Sequence, residues 1–103
     1  MRARGSLRVR ELTEDQRNEI LTLAVERVYD YLRDRLGPGA LQCVEVKAEI
    51  TNSWPYTITI EAGVLAGYLG GDLDKLVEEA VDRALRDVEE ELRRLGLAPS
   101  GER

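Results

Sequence analysis

The chain has no histidine and no phenylalanine, one cysteine, three prolines and, among fifteen basic residues, only two lysines, Lys47 and Lys75. Each absence excludes something. Without histidine, a zinc site of mixed thiolate and imidazole ligands cannot be built, so a bound metal would have to be a hard ion held by carboxylates. Cys43 has no second cysteine in the chain to bond with, and no imidazole to activate it as a nucleophile. No cofactor and no metal are therefore expected, and the reading is that the protein is not an enzyme. No apolar run approaches the roughly 18 residues of a membrane span. The opening "MRARGSLRVREL" has basic residues without the apolar stretch of a signal peptide, so the expectation is a cytoplasmic protein with no membrane partner.

What is present describes a globular chain. Its 103 residues are 43% hydrophobic, enough to bury one core without disulfides or metals. Arginine and glutamate dominate the charge, which fits the ion-paired surface of a thermophile's protein, although GC-rich coding would give the same bias. The net charge of −5 is unevenly distributed. Residues 1–10 hold Arg2, Arg4, Arg8 and Arg10 with no acid, leaving eleven basic against twenty acidic residues, or −9, in the remainder. A basic N-terminal segment is joined to an acidic body.

The segment "LTEDQRNEILTLAVERVYDYLRDRLGPG" opens with Thr13 and Gln16, spaced for the reciprocal bonds of a capping box, and closes on Gly37 and Pro38. Leu21, Ala24, Val25, Val28, Leu32 and Leu36 recur at helical spacing between them, predicting a first helix. "CVEVKAEIT" then alternates, with Val44, Val46, Ala48 and Ile50 on one side against Glu45, Lys47, Glu49 and Thr51. "YTITIEAGV" repeats the pattern, and "NSWP" between the two reads as a hairpin connection. Keeping both apolar sets on one face requires paired residue numbers with an even sum. A sum of 108 sets Lys47 opposite Glu61, whereas 106 or 110 sets glutamate against glutamate, a difference of about 0.2–1 kcal/mol. Ile50 is therefore expected opposite Ile58, with Ser53, Trp54 and Pro55 as the loop. "DLDKLVEEAVDRALRDVEEELRRLG" is a second helix, with Asp72 as its cap, a stripe from Leu73 to Leu95 and Gly96 as its end.

Two packed helices need more width than two strands give. "SLRVR" can supply a first strand, Val64 to Leu69 can supply another, or a second copy can add its own sheet edge. The expected fold is a two-layer α+β domain over residues 1–96 in the order β-α-β-β-α. Residues 1–5 are expected to form a flexible basic arm and 97–103 a disordered tail.

Four glycines crowd "GVLAGYLGGD", a strand-to-helix junction of the kind that can cradle a phosphate. The lysine and hydroxyl of a phosphate-binding loop are absent, and Asp72 and Asp74 would place negative charge where the phosphate would sit. The stretch reads as a capped turn, and no nucleotide is expected. The basic residues Arg2, Arg4, Arg8 and Arg10 are the first binding candidates, for an acidic partner or a nucleic-acid backbone. The simpler reading makes Ser6–Arg10 a strand whose outward arginines neutralise Glu45, Glu49 and Glu61, with Arg2 and Arg4 frayed. Trp54 and Tyr56 are the second candidates: a loop-tip aromatic pair that anchors a partner, or a lid over the core. Glu78 and Asp82 share a helix face, and ion pairs such as Glu79 to Arg83 explain such acidic spacing more simply than a metal site.

"LTEDQRNEILTLAVERVYDYL", "VEVKAEI" and "DLDKLVEEAVDRALRDVEEELRRLG" together resemble an uncharacterised family of small archaeal proteins, a domain of unknown function. The resemblance spans residues 11–96 and rests on element order and on Asp72, Leu76, Glu79, Ala80 and Ala84. It implies an α+β fold without an assigned activity, and genes that tend to lie near that of the prefoldin beta subunit. The functional expectation is a non-catalytic binding or accessory protein in a protein complex, associating with a protein partner or with itself through a sheet edge. An RNA-binding accessory that uses the basic arm is the alternative.

Overall fold

Strand β1 (Arg2–Val9) leads into helix α1 (Glu14–Leu36), a 3-10 stretch (Pro38–Cys43), strands β2 (Val44–Ile50) and β3 (Tyr56–Val64), and helix α2 (Leu73–Arg94). The structure, a computed structural model, describes residues 2–51, 56–64 and 73–97. The α+β architecture is the expected one, with two helices packed on a three-stranded antiparallel sheet of order β1-β3-β2.

Helix α1 begins where its caps dictate. The Thr13 hydroxyl accepts from the Gln16 amide at 3.2 Å, while the Thr13 amide donates to Gln16 Oε1 at 2.9 Å. Two amides that the first helical turn leaves unpaired are thereby satisfied. The helix stops at Gly37, whose φ of +91° lies in the region that favours glycine. Its buried ridge is Ile20, Ala24, Val28 and Leu32, spaced by four. Ala24, Val28 and Leu32 belong to the predicted stripe and Ile20 does not, while the stripe's Leu21 and Val25 lie beside the ridge. Those two residues are half-buried, because α1 presents one ridge to both β2 and α2.

The hairpin register is the one that charge pairing predicts, with Lys47 opposite Glu61 and Ile50 opposite Ile58. The ladder continues one step, as the Thr51 amide donates to the Thr57 carbonyl at 3.1 Å. The predicted loop at 53–55 lies outside the described residues. So do Asp72, the part of the proposed extra strand beyond Val64, and the predicted tail from residue 98 onwards.

The flexible arm expected over residues 1–5 is corrected. Strand β1 starts at Arg2 and pairs with β3 along its whole length, from Arg2 opposite Gly63 to Val9 opposite Tyr56. The period-two pattern of "LRVR" continues backwards through Gly5 and Ala3, whose small side chains give little apolar signal. Their size has a packing cause. A Cβ on Gly5 would stand 2.5 Å from Leu85 Cδ1 and 3.2 Å from Val81 Cγ1, so α2 passes directly over this point of β1.

This strand supplies the width that two strands lack. Three strands place β1 and β2 about 10 Å apart, matching the 8–10 Å spacing usual for packed helices. Helix α2 accordingly lies over β1 and β3, and α1 over β2. The helices are antiparallel, since Tyr31 meets Glu79 and Arg27 meets Asp87. Ile58 and Ile60 of the central strand are fully buried between sheet and helices. The two edges differ: Leu7 and Val9 of β1 are 6% and 1% exposed, whereas Val46, Ala48 and Ile50 of β2 are only half-buried.

Candidate binding surface

The burial pattern of β1 alternates exposed and covered, so Arg2, Arg4, Ser6 and Arg8 all project from the face that the helices do not cover. The registers of both ladders define the rest of that face as a grid. Arg2, Gly63 and Glu45 form one row across the sheet, Arg4, Glu61 and Lys47 the next, and Ser6, Thr59 and Glu49 the third, with Arg8 beside Thr57 at the end. Basic charge is concentrated on β1, while acids alternate with one lysine on β2.

Two ion pairs are formed on this face. Arg2 Nη2 lies 3.3 Å from Glu45 Oε1, and Lys47 Nζ lies 3.3 Å from Glu49 Oε2. All four side chains are more than half exposed, so each pair is screened by water and contributes little to stability. Arg10, just beyond the strand, is exposed as well.

The sequence-predicted candidates do not all converge. Arg2, Arg4 and Arg8 share the outward column, but Tyr56 stands opposite Val9 on the inward side. Its ring is half-buried, with the Arg17 guanidinium 5.5 Å from the ring centroid. Arg17 also donates to the Thr51 carbonyl at 3.3 Å, so Tyr56 belongs to the junction between α1 and the hairpin. Trp54 lies outside the described residues.

The outer seam of the two helices carries a second polar cluster, an open groove of about 600 Å³. The Tyr31 hydroxyl donates to Glu79 Oε1 at 2.8 Å, and the Arg35 guanidinium stacks 3.7 Å above the Tyr31 ring. Arg27 Nε lies 3.0 Å from Asp87 Oδ2, and Arg33 Nη2 lies 2.9 Å from Asp30 Oδ1. The pairing foreseen between Glu79 and Arg83 takes another form: Glu79 receives Tyr31 from the facing helix, and Arg83 approaches Asp87 at 3.9 Å. Burial raises the Tyr31 phenol above its ordinary value, and the hydrogen bond to Glu79 adds to the rise. A hydrogen bond from Arg94 holds the Glu91 carboxyl below its ordinary value. These guanidinium and carboxylate groups face each other across and along the helices. Of these contacts, Tyr31 with Glu79 and Arg27 with Asp87 fasten α1 to α2.

Sequence reasoning missed the Tyr31 cluster, although Tyr31 and Arg35 stand four apart and would have signalled a stack on one helix face. Glu78 and Asp82 are exposed, and among the described residues no group of three or more acids and cysteine is placed to hold a metal ion. Cys43 is half-buried at the end of the 3-10 stretch, one residue before β2. Among the described residues, no helix is long and apolar enough to cross a membrane.

Comparison with known proteins agrees with this fold. The chain is 28% identical over 93 residues to the Pyrococcus horikoshii protein named Uncharacterized protein PH0533, covering 89% of this chain and 80% of that one. A crystal structure from Thermococcus onnurineus NA1 superposes with a TM-score of 0.73 at 32% identity, covering 93% of this chain and 96% of that chain. The solution structure of the hypothetical protein mth677 from Methanothermobacter thermautotrophicus has the same fold, with a TM-score of 0.68 at 24% identity over 82% of this chain and 92% of its own. All three sources are archaeal. A family model described as Protein of unknown function (DUF3194) matches residues 9–91, and with most of its length covered the chain belongs to that family.

Proposed function

We propose that the protein is a non-catalytic binding protein, an accessory in a protein complex, and that it binds through the outward face of its sheet. The observation that carries this reading is the exposed column Arg2, Arg4 and Arg8 on a face that no described helix covers. Three guanidinium groups spaced two and four residues apart on one strand face suit an extended acidic segment that runs along β1 and meets them in turn. A cytoplasmic setting in a thermophile, with a gene near that of the prefoldin beta subunit, is part of the same proposal and accords with the family resemblance.

RNA binding is the second reading, and the same arginine column favours it. Glu45, Glu49 and Glu61 on the adjoining strands would repel a phosphate backbone that crossed the sheet. A face that is basic on one side and mixed on the other fits a protein surface better.

The test is a titration of the isotopically labelled chain with an oligoglutamate peptide and, separately, with oligouridine, each at low and high salt. Saturable, salt-sensitive shifts along β1 with the peptide, lost in the Arg4→Glu/Arg8→Glu variant, are expected. Shifts confined to the helices, or unchanged in the variant, would overturn the reading. Stronger arginine-dependent shifts with oligouridine would move the assignment to RNA.

A further inference from the structure

We propose that the edge of β2 away from β3 is a self-association surface, through which two copies of this chain form one continuous six-stranded antiparallel sheet with its two-fold axis at Ala48. The inference concerns the opposite edge from the arginine column and does not rest on the binding role assigned to that column.

The first observation is the contrast between edges. On β1 the inward Leu7 and Val9 are already covered by α2, whereas on β2 the inward Val46, Ala48 and Ile50 are only half-buried beside α1. Apolar area left on a strand edge is what a further strand would cover.

The backbone direction is also suitable. Because the Thr51 amide bonds the Thr57 carbonyl, odd-numbered residues of β2 turn their amides and carbonyls towards β3. Alternation then turns those of Val46, Ala48 and Ile50 towards the edge that, among the described residues, no strand pairs with.

The side chains select the occupant and the register. With the axis at Ala48, Val46 faces Ile50 of the second copy, Ala48 faces its own counterpart, and Ile50 faces Val46 of the second copy. These three pairs exchange backbone bonds in both directions. On the outward side Lys47 faces Glu49 of the second copy, and symmetry repeats the contact, so both opposite-charge pairs are favourable. Shifting the axis to Lys47 sets lysine against lysine and Glu45 against Glu49. Shifting it to Glu49 sets glutamate against glutamate. An axis at Val46 does pair Lys47 with Glu45, but it leaves Ile50 opposite Gln42, outside the strand. Self-pairing of β1 is opposed throughout, since every two-fold register centred on residues 4 to 6 sets an arginine against an arginine. The sequence of β2 is therefore complementary to itself about one residue, which a partner of unrelated sequence would not require.

Charge reversal tests this directly, with sedimentation equilibrium and native mass spectrometry as readouts and circular dichroism to confirm folding. The unaltered chain is expected to be a dimer. Glu49→Lys sets lysine against lysine twice across the axis, and Lys47→Glu sets glutamate against glutamate twice, so each is expected to weaken the dimer about tenfold or more. Glu49 stands opposite the neutral Thr59 within the chain, so its reversal disturbs no opposed charge on β3. An equimolar mixture of the two variants restores both pairs and is expected to yield the heterodimer, and the doubly reversed chain is expected to dimerise as the unaltered one does. A chain that stays monomeric at the highest concentration reached overturns the proposal. A dimer that Glu49→Lys leaves intact overturns the register at Ala48.

Discussion

Arg2 and Glu45 stand on the two outer strands of the sheet, and their side chains meet 3.3 Å apart over Gly63 of the central strand. Two strand spacings separate their backbones by about 10 Å. The charges reach each other because the residue between them has no side chain. A double-mutant cycle with Arg2→Ala and Glu45→Ala is expected to give a coupling of about 0.2–1 kcal/mol at low salt. Near 1 M salt, where the screening length falls to about 3 Å, the coupling should disappear. Gly63→Thr, which inserts a branched side chain into the row, should abolish it at any salt concentration. Persistence of the coupling in that background would show that the pair does not need the gap.

At Gly5 helix α2 passes close over β1. Gly5→Val is expected to destabilise the fold by about 1–3 kcal/mol, because its side chain would enter the space held by Leu85 and Val81. Adding Leu85→Ala should recover part of that loss. Denaturant midpoints of the three variants at unchanged slope provide the check, and a neutral Gly5→Val would mean that α2 can lift from β1 without cost.

The start of α1 depends on two reciprocal bonds. Thr13→Ala is expected to cost about 0.5–2 kcal/mol, whereas Thr13→Ser keeps an oxygen in position and should cost much less. Equal losses in the two variants, measured by urea unfolding, would show that the hydroxyl's bond to Gln16 is not what sets the helix start.

Tyr31 gives the helix pair an alkaline limit. Its phenol titrates above the ordinary value of 10.0, through burial first and the bond to Glu79 second. Between the ordinary and the raised value the folded chain keeps a proton that the unfolded chain releases, so stability falls as pH rises through that interval. Below pH 10.0 the contribution is fully present. Glu79→Gln should bring the phenol's titration down, and Tyr31→Phe should remove this part of the alkaline loss of stability. Ultraviolet phenolate titration and unfolding on either side of pH 10.0 measure both effects. A titration indifferent to Glu79→Gln would show that the hydrogen bond has no part in the shift.

Much of the fold was readable because local rules agreed with one another. The capping residues at Thr13 and Gln16, the glycine after Leu36 and the strict alternation in β2 and β3 each admit one regular structure, and Lys47 with Glu61 was enough to choose the register. The N-terminal strand was only half-visible, because Ala3 and Gly5 are small where α2 lies close, and smallness carries no periodic signal. Along α1 the period and three of the four buried positions were correct and Ile20 was missed, since Leu21 and Ile20 are equally apolar and only the positions of β2 and α2 decide between them. Of the outward arginines of β1 only Arg8 could be assigned to a strand face from alternation, Arg2 and Arg4 being expected in a frayed arm. Their row partners across β3 could not, because those depend on a pairing between residues far apart in the chain, from Arg8 with Thr57 to Arg2 with Gly63.

That pairing also sets an order of events. The central strand of the sheet is the last of the three to be synthesised, so Arg2–Val9 and Val44–Ile50 have no neighbour to bond with until residues 56–64 have emerged. When residues 2–51 have emerged from the ribosome, two unpaired strands and one amphipathic helix are exposed, and no ladder of this sheet closes before β3 arrives. Closing a loop this long is slow, and unpaired strands attract other chains. The interval before β3 arrives is thus the period when this small protein is most open to misassembly, and the outward arginines of β1 oppose that association on one of the two waiting strands.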